Sequence, residues 1–124
     1  MPLTEDLITS RYHISGYQDN AVIINDIHYH NSLVISADTL HNPWMVSSIE
    51  TLDKASLQVI FDLDPEIVLL GTGIRQQFPV AKVIALFGQQ GIGVDVMDNG
   101  ALCRTFNILV AEGRAVVAGI LLAS

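Results

Sequence analysis

The sequence predicts an α/β domain, and three observations indicate it. The segment EIVLLGTG at 66–73 places four consecutive apolar residues before a Gly-Thr-Gly turn, which is typical of a strand buried on both faces. Helix-like patterns and further apolar strands then alternate to the end of the chain. Half of the 124 residues are hydrophobic and 15% are charged, which is enough apolar side chain for one core. Because strands separated by helices form parallel sheets with helices on their faces, we expect a single α/β domain with a mixed sheet.

The N-terminal part predicts an antiparallel meander of short strands. Residues 1–10 are expected to be a loosely held lead-in to a single domain that spans 1–124. Apolar alternation begins at Tyr12 and Ile14, and Asp19-Asn20 and Asn25-Asp26 are typical turn pairs. The predicted strands of the meander are 12–14, 21–24, 27–29 and 33–35.

The rest of the chain predicts β-α-β-α-β, preceded by one helix. That first helix covers 54–63, with Thr51 or Asp53 as its N-cap. The second begins at Pro79, because proline suits the first helical position. The third covers 100–112 and is apolar nearly all round, so it should be heavily buried. Its N-cap is Asp98 or Asn99 and Gly113 ends it, while the predicted strands are 66–70, 92–97 and 115–122.

Charge and cysteine content narrow the function classes. The net charge is −7, and an acidic chain repels phosphate backbones, which argues against a nucleic-acid partner. The single cysteine, Cys103, cannot form an intrachain disulfide, and residues 1–10 do not resemble a signal peptide. No apolar run reaches the length of a membrane span. We therefore expect a cytoplasmic protein whose poorly charged surface includes an apolar patch for a protein partner or a second copy of itself.

A candidate ligand site lies where two predicted parallel strands end. In open parallel sheets, ligands bind outside the carboxyl ends of the strands, and the loops there precede helix N-termini that favour anions. Arg104 and Asn107 share a face of the following helix. The alternative is a purely structural role, in which the glycines form ordinary turns and Asp98 is an ordinary helix N-cap. The candidate anion or small-molecule residues are Gly71, Thr72, Gly73, Asp98, Asn99, Arg104 and Asn107.

No cofactor or metal site is predicted. The GxG turn lacks the third glycine and the following acid of a dinucleotide fingerprint. His28 and His30 project from one face of a strand but lack further ligands, so solvent-facing imidazoles are expected. Cys103 is expected to be a buried apolar residue rather than a nucleophile. Arg104, set among apolar neighbours, is expected to be buried and paired with Asp95 or Asp98.

Several ordered pieces of the chain resemble a known family. They are NPW at 42–44, VLLGTG at 68–73, FP at 78–79 and GIGVDVMDNGALCRTFNILVAEGR at 91–114. The chain resembles a family of small domains of unknown function that includes the mitochondrial complex I assembly factor three and an adipogenesis-associated protein. The resemblance implies a three-layer α/β/α fold with a mixed sheet and no established enzymatic activity. Recurring family positions match Gly71, Thr72, Gly73, Asp98, Cys103, Arg104, Asn107 and Glu112, while Asn99 stands where the family often has threonine.

Two functions are carried forward from the sequence. The first is a non-enzymatic accessory or interaction protein, with a role in assembling a respiratory complex implied by the resemblance. The second is a binding protein or enzyme that uses a cleft at Thr72, Asp98 and Arg104. A complete catalytic constellation is missing from the sequence, which favours the first.

Overall fold

The segment after Glu66 becomes an inner strand of a five-stranded sheet. The structure is a computed structural model that describes residues 11–18 and 20–122, so the expected lead-in at 1–10 and Asp19 lie outside the described residues. In chain order the strands and helices are β1 (Ile14–Gln18), β2 (Ala21–Ile24), β3 (Ile27–Tyr29), β4 (Leu33–Ser36), β5 (Leu40–His41), α1 (Lys54–Phe61), β6 (Ile67–Gly71), α2 (Ala81–Gln89), β7 (Gly93–Met97), α3 (Asn99–Ala111) and β8 (Val116–Ile120).

The main sheet is mixed, in the order β5-β4-β8-β6-β7. β6 pairs in parallel with β7 on one side and with β8 on the other, while β4 pairs antiparallel with β8 and β5. Gly71 is in register with Met97 and with Ile120, so the carboxyl ends of three strands meet at one edge. The prediction that the strands at 66–70 and 92–97 form one parallel pair is confirmed, and so is the α/β class with a mixed sheet.

The predicted meander divides after its third strand. β1, β2 and β3 form a separate antiparallel sheet, whereas β4 leaves it and pairs with β8. The reason lies in burial, because all four residues of β4 are buried and therefore need cover on both faces. β3 is half-exposed and can remain in a sheet that faces solvent on one side. Placing the fourth strand in the meander was wrong, and the two-residue β5 was missed.

The helices start and stop where local chemistry directs. The side chain of Asp53 caps α1 by accepting a hydrogen bond from the backbone N–H of Ser56. The Ser56 hydroxyl in turn accepts from the backbone N–H of Asp53 at 3.0 Å, which completes a capping box. The hydrogen bond from Ser56 lowers the pKa of the Asp53 carboxyl. α2 begins at Ala81, two residues beyond the predicted Pro79, and a 3₁₀ turn that was not predicted covers Ile49–Thr51.

Two apolar clusters cover the two faces of the main sheet. On one face α1 and α2 pack through Leu57, Ile60, Val83 and Phe87. On the other face lie α3 and the three-stranded sheet, so the third layer combines a helix with a small sheet. Gly119 permits close contact with the indole of Trp44, because an added Cβ there would lie 2.9 Å from the ring.

Candidate functional site at the carboxyl ends of the parallel strands

A cleft of about 480 Å³ opens at the carboxyl ends of β6 and β8. We call it the carboxyl-end cleft. Its walls come from the turn after β1, the segment around the 3₁₀ turn, the loop after β6, the start of α3 and the residues after β8. The lining residues are Tyr17, Asn20, Ser47, Ser48, Ile49, Glu50, Thr72, Gly73, Ile74, Arg75, Gln77, Asn99, Leu121 and Leu122. Three of the predicted residues, Thr72, Gly73 and Asn99, therefore line one cleft.

Asn99 ties the three strand ends together at the floor of the cleft. Its side chain is fully buried, its Oδ1 accepts from the Gly73 N–H at 3.2 Å, and its Nδ2 donates to the Leu121 carbonyl at 2.9 Å. Its backbone N–H donates to the Gly73 carbonyl at 2.8 Å. The amide meets both needs, because its oxygen accepts on one side while its nitrogen donates on the other.

Thr72 organises the loop after β6. Its hydroxyl donates to the Arg75 carbonyl at 2.7 Å and accepts from the Gln77 N–H at 3.0 Å. Its backbone N–H donates to the Met97 carbonyl at 3.0 Å. The hydroxyl is thus engaged within its own loop, and its contribution to the cleft is to fix the loop's shape.

Gly71 and Asp98 are positioned by packing and capping. A Cβ on Gly71 would clash with Oδ1 of Asn99 and lie 2.9 Å from Cδ1 of Leu102. Asp98 caps α3 by accepting from the Ala101 N–H at 2.8 Å. The capping carboxylate already occupies the helix N-terminus, which is where an anion would otherwise bind.

Asn107 and Arg104 lie away from the cleft. The Asn107 side chain forms two hydrogen bonds with the backbone of Ile14, at 3.0 and 2.7 Å, and so joins α3 to β1. Arg104 is exposed and forms no ion pair with Asp95 or Asp98, both of which are described. The prediction of a buried, paired Arg104 was wrong, because the apolar residues around it in sequence point to the other side of α3. Leu102, Cys103 and Phe106 are buried there, while Ile108 is 58% exposed.

Sequence reasoning missed the charged residues of the cleft. Arg75 lies two residues after the Gly-Thr-Gly turn, so its closeness to that turn was the available signal. Glu50, which also lines the cleft, lies 25 residues earlier in a turn with no pattern that would indicate it. Both side chains are exposed.

Cys103, His28 and His30 lie outside the carboxyl-end cleft. Cys103 is buried, as predicted, and burial raises the pKa of its thiol to about 11, which keeps it protonated at neutral pH. His28 and His30 are both exposed. Within the described part of the chain, no three His, Cys, Asp or Glu side chains come together as metal ligands.

The loop between β6 and α2 exposes three large apolar side chains beside the cleft. Ile74, Phe78 and Val80 are 71%, 69% and 68% exposed. We call residues 74–80 the apolar loop. The loop is held at one end by Thr72 and in its middle by Gln76, whose Nε2 donates to the Val96 carbonyl of β7 at 2.9 Å. An apolar group that remains exposed on a well-held loop is typical of an interaction surface.

A family model matches residues 14–121, which include every described strand and helix. Its description is a protein of unknown function, DUF498/DUF598. The chain belongs to this family. The resemblance that the sequence motifs indicated is therefore confirmed, and the family's printed description assigns no activity.

Named relatives and a solved structure extend the comparison. A Francisella tularensis protein called 13 kDa major membrane protein is 32% identical over 117 residues, covering 94% of this chain and 95% of its own. The human NADH dehydrogenase [ubiquinone] 1 alpha subcomplex assembly factor 3 is 36% identical over 80 residues, which are 63% of this chain and 44% of that protein. A Bordetella parapertussis protein of known crystal structure has a TM-score of 0.85 at 30% identity, covering 93% of this chain and 98% of that one.

The Francisella relative is called a membrane protein, and membrane-spanning helices have a recognisable length and composition. Within residues 11–18 and 20–122, no helix combines the length and the apolar character needed to cross a bilayer.

Proposed function

We propose that this protein is a non-enzymatic accessory protein that binds a protein partner through the apolar loop. The observation that carries the proposal is the exposure of Ile74, Phe78 and Val80 on a loop already fixed by hydrogen bonds. A surface held in its binding shape loses less conformational entropy when a partner docks. The name of the human relative, an assembly factor, supports the same class of function.

The chemistry of the chain also favours binding over catalysis. The Cys103 thiol is protonated at neutral pH, and the hydroxyl of Thr72 is engaged by its own loop. Neither group is therefore available as an activated nucleophile.

A site-specific crosslinker tests the proposal. A photoreactive amino acid replaces Phe78 in one variant and Ile27 in another, because Ile27 is also an exposed apolar residue, 57% exposed, but lies on the small sheet. We expect one protein to crosslink from position 78 in native extract and not from position 27. Untagged wild type should compete for that protein, whereas untagged Phe78→Ser should not.

The crosslinking experiment has a clear negative result. Equal sets of proteins captured from positions 78 and 27 would contradict the proposal. Competition by untagged Phe78→Ser as strong as that by wild type would also contradict it, and the melting temperature of Phe78→Ser shows that this variant is folded. Crosslinks only between identical chains would identify the partner as a second copy, which sedimentation of wild type and Phe78→Ser would then measure.

We propose that the protein is cytoplasmic. The single cysteine fits a reducing compartment. The competing expectation is a membrane location, which the name of the Francisella relative suggests. Fractionation of native cells tests the two, since recovery in the membrane pellet after a salt wash would contradict a cytoplasmic location.

A second candidate function is the binding of a small molecule or anion in the carboxyl-end cleft. Its volume of about 480 Å³ lies within the usual range for ligand sites, and Thr72, Gly73 and Asn99 form part of its wall. Gly71 and Asp98 would act by shaping the strand ends around it, whereas Arg104 and Asn107 lie away from it. The arginine that lines the cleft is Arg75.

Phosphate titration tests this second function. Phosphate should raise the melting temperature saturably, because a ligand that binds only the native state stabilises it. Arg75→Gln should remove the saturable part, whereas Arg104→Gln, a matched change outside the cleft, should not. A response that is linear in all three proteins would reflect general salt exclusion and would contradict an anion site.

A further inference from the structure

The backbone donors at the strand ends are already used within the protein. The Asn99 N–H donates to Gly73, the Gly73 N–H donates to the Asn99 side chain, and the Ala101 N–H donates to Asp98. Two of these N–H groups, those of Asn99 and Ala101, lie in the first turn of α3, where an anion would otherwise bind. The side chains of the carboxyl-end cleft therefore take a larger part in recognising a charged ligand.

Two side chains of opposite charge line this cleft without neutralising each other. Arg75 reaches it from the loop after β6, and Glu50 reaches it from the 3₁₀ turn. The ion pair found among residues 11–18 and 20–122 joins Glu66 to Arg114, so Arg75 and Glu50 do not pair with one another. Each keeps its charge available to a ligand.

The presence of both charges decides which ligands the cleft favours. A simple anion is attracted by Arg75 and repelled by Glu50, and a simple cation meets the reverse. A ligand with a negative and a positive end satisfies both side chains. Ser47 and Ser48 also line the cleft and bring hydroxyl groups to it, and Leu121 and Leu122 line it with apolar side chains that suit a short aliphatic body.

We infer that the carboxyl-end cleft binds a small zwitterion, in the manner of an amino acid, with its carboxylate at Arg75 and its ammonium at Glu50. The inference rests on the second proposed function, small-molecule binding in this cleft. It adds the ligand class and the two side chains that select it.

A series of ω-amino acids provides the probes. Glycine, β-alanine, γ-aminobutyrate and 5-aminopentanoate carry the same two charges at increasing separation. We expect saturable amide chemical-shift changes for residues of the cleft, strongest for one chain length. Propionate and propylamine, which each keep one charge, should bind roughly two- to five-fold more weakly than the best zwitterion, as expected for the loss of one partly exposed ion pair.

Variants separate the two charges. Glu50→Gln should weaken the zwitterion and propylamine but leave propionate and phosphate unchanged or tighter. Arg75→Gln should weaken the zwitterion, propionate and phosphate together. Arg104→Gln, an exposed arginine outside the cleft, should change none of them.

The outcomes distinguish this inference from the function on which it rests. If phosphate binds in an Arg75-dependent manner and no amino acid binds, the zwitterion inference is overturned and a plain anion site stands. If no probe produces a saturable change in the wild type, both fail. Zwitterion binding that survives Glu50→Gln unchanged also overturns the inference, since the carboxylate would then have no part in selection.

Discussion

At the scale of single residues, Asn99 decides how the strand ends meet. Its amide is fully buried and links Gly73 to Leu121, which lie in the segments after β6 and β8. A buried donor or acceptor that loses its partner costs free energy, because water cannot replace it. The cleft therefore depends on one side chain that does not need to contact a ligand.

Asn99→Ala should lower the free energy of unfolding by about 1 to 3 kcal/mol, because the buried carbonyl of Leu121 and the part-buried N–H of Gly73 lose their partners. Chemical denaturation measures this. Arg104→Gln is the matched control, and it should stay within about 0.5 kcal/mol of wild type, as exposed unpaired side chains usually do. Equal stabilities for Asn99→Ala and wild type would show that the amide is not needed.

Gly71→Ala should also destabilise, by about 1 to 3 kcal/mol, because its Cβ would enter the space of Asn99 and Leu102. Gly88→Ala in α2 is the control, and its effect on stability should have the opposite sign, because no atom lies within 4 Å of the added Cβ. That change should stabilise by about 0.5 kcal/mol through lower unfolded-state entropy. Thermal melts measure both variants. Melting temperatures that change in the same direction for Gly71→Ala and Gly88→Ala would contradict the difference in packing around the two glycines.

At the scale of elements, a carboxylate fastens the amino ends of β6 and β8. Oε1 of Glu66 accepts from the Ala115 N–H at 3.0 Å and from Nε of Arg114 at 3.2 Å. The backbone hydrogen bond from Ala115 lowers the pKa of Glu66 below its ordinary value of 4.5, and Arg114 adds to this. Charged Glu66 is thus preferred in the folded state, and stability linked to it is lost as pH falls through its folded pKa.

Glu66→Gln should therefore be less stable than wild type at pH 7, and the difference should shrink as the pH falls from about 5 to about 3. Denaturation at a series of pH values measures the difference. Glu112→Gln, at the end of α3, removes the same charge without breaking this contact and should show no such convergence. A Glu66→Gln deficit that is constant with pH would mean that the charge is not involved.

The elements also show what the sequence could predict. The sequence predicted the bounds of β6 and β7 and the start of α3 to within one residue. Their signals are local, namely apolar runs, glycine turns and a capping aspartate. The departure of β4 and the exposure of Arg104 depend on which face meets the core, and sequence neighbours do not specify that. The presence of Glu50 and Arg75 in one cleft depends on the folded arrangement of two distant turns.

At the scale of the whole molecule, β8 is the common strand of the main sheet. It pairs with β4 on one side and β6 on the other, and all five of its residues are buried. Both apolar clusters include its side chains. Opening β8 therefore disrupts both faces at once, which is the behaviour of the most stable cooperative unit in a protein.

Hydrogen exchange should accordingly be slowest at the amides of β8 and fastest, among the strands, in β3. β3 is half-exposed and lies at the edge of the small sheet. NMR or mass-spectrometric exchange of native protein measures both segments in one sample. Comparable protection in β3 and β8 would indicate that the small sheet opens only together with the main one.

The position of β8 in the chain has a consequence for synthesis. The strand that fills the gap between β4 and β6 is the last strand or helix described along the chain. During synthesis on the ribosome, the edges of β4 and β6 that pair with β8 stay unpaired until residues 116–120 have left the exit tunnel. Both apolar clusters stay incomplete for the same time. The nascent chain therefore acquires its native sheet late and nearly all at once, and the interval before that is when chaperones would have an apolar segment to hold.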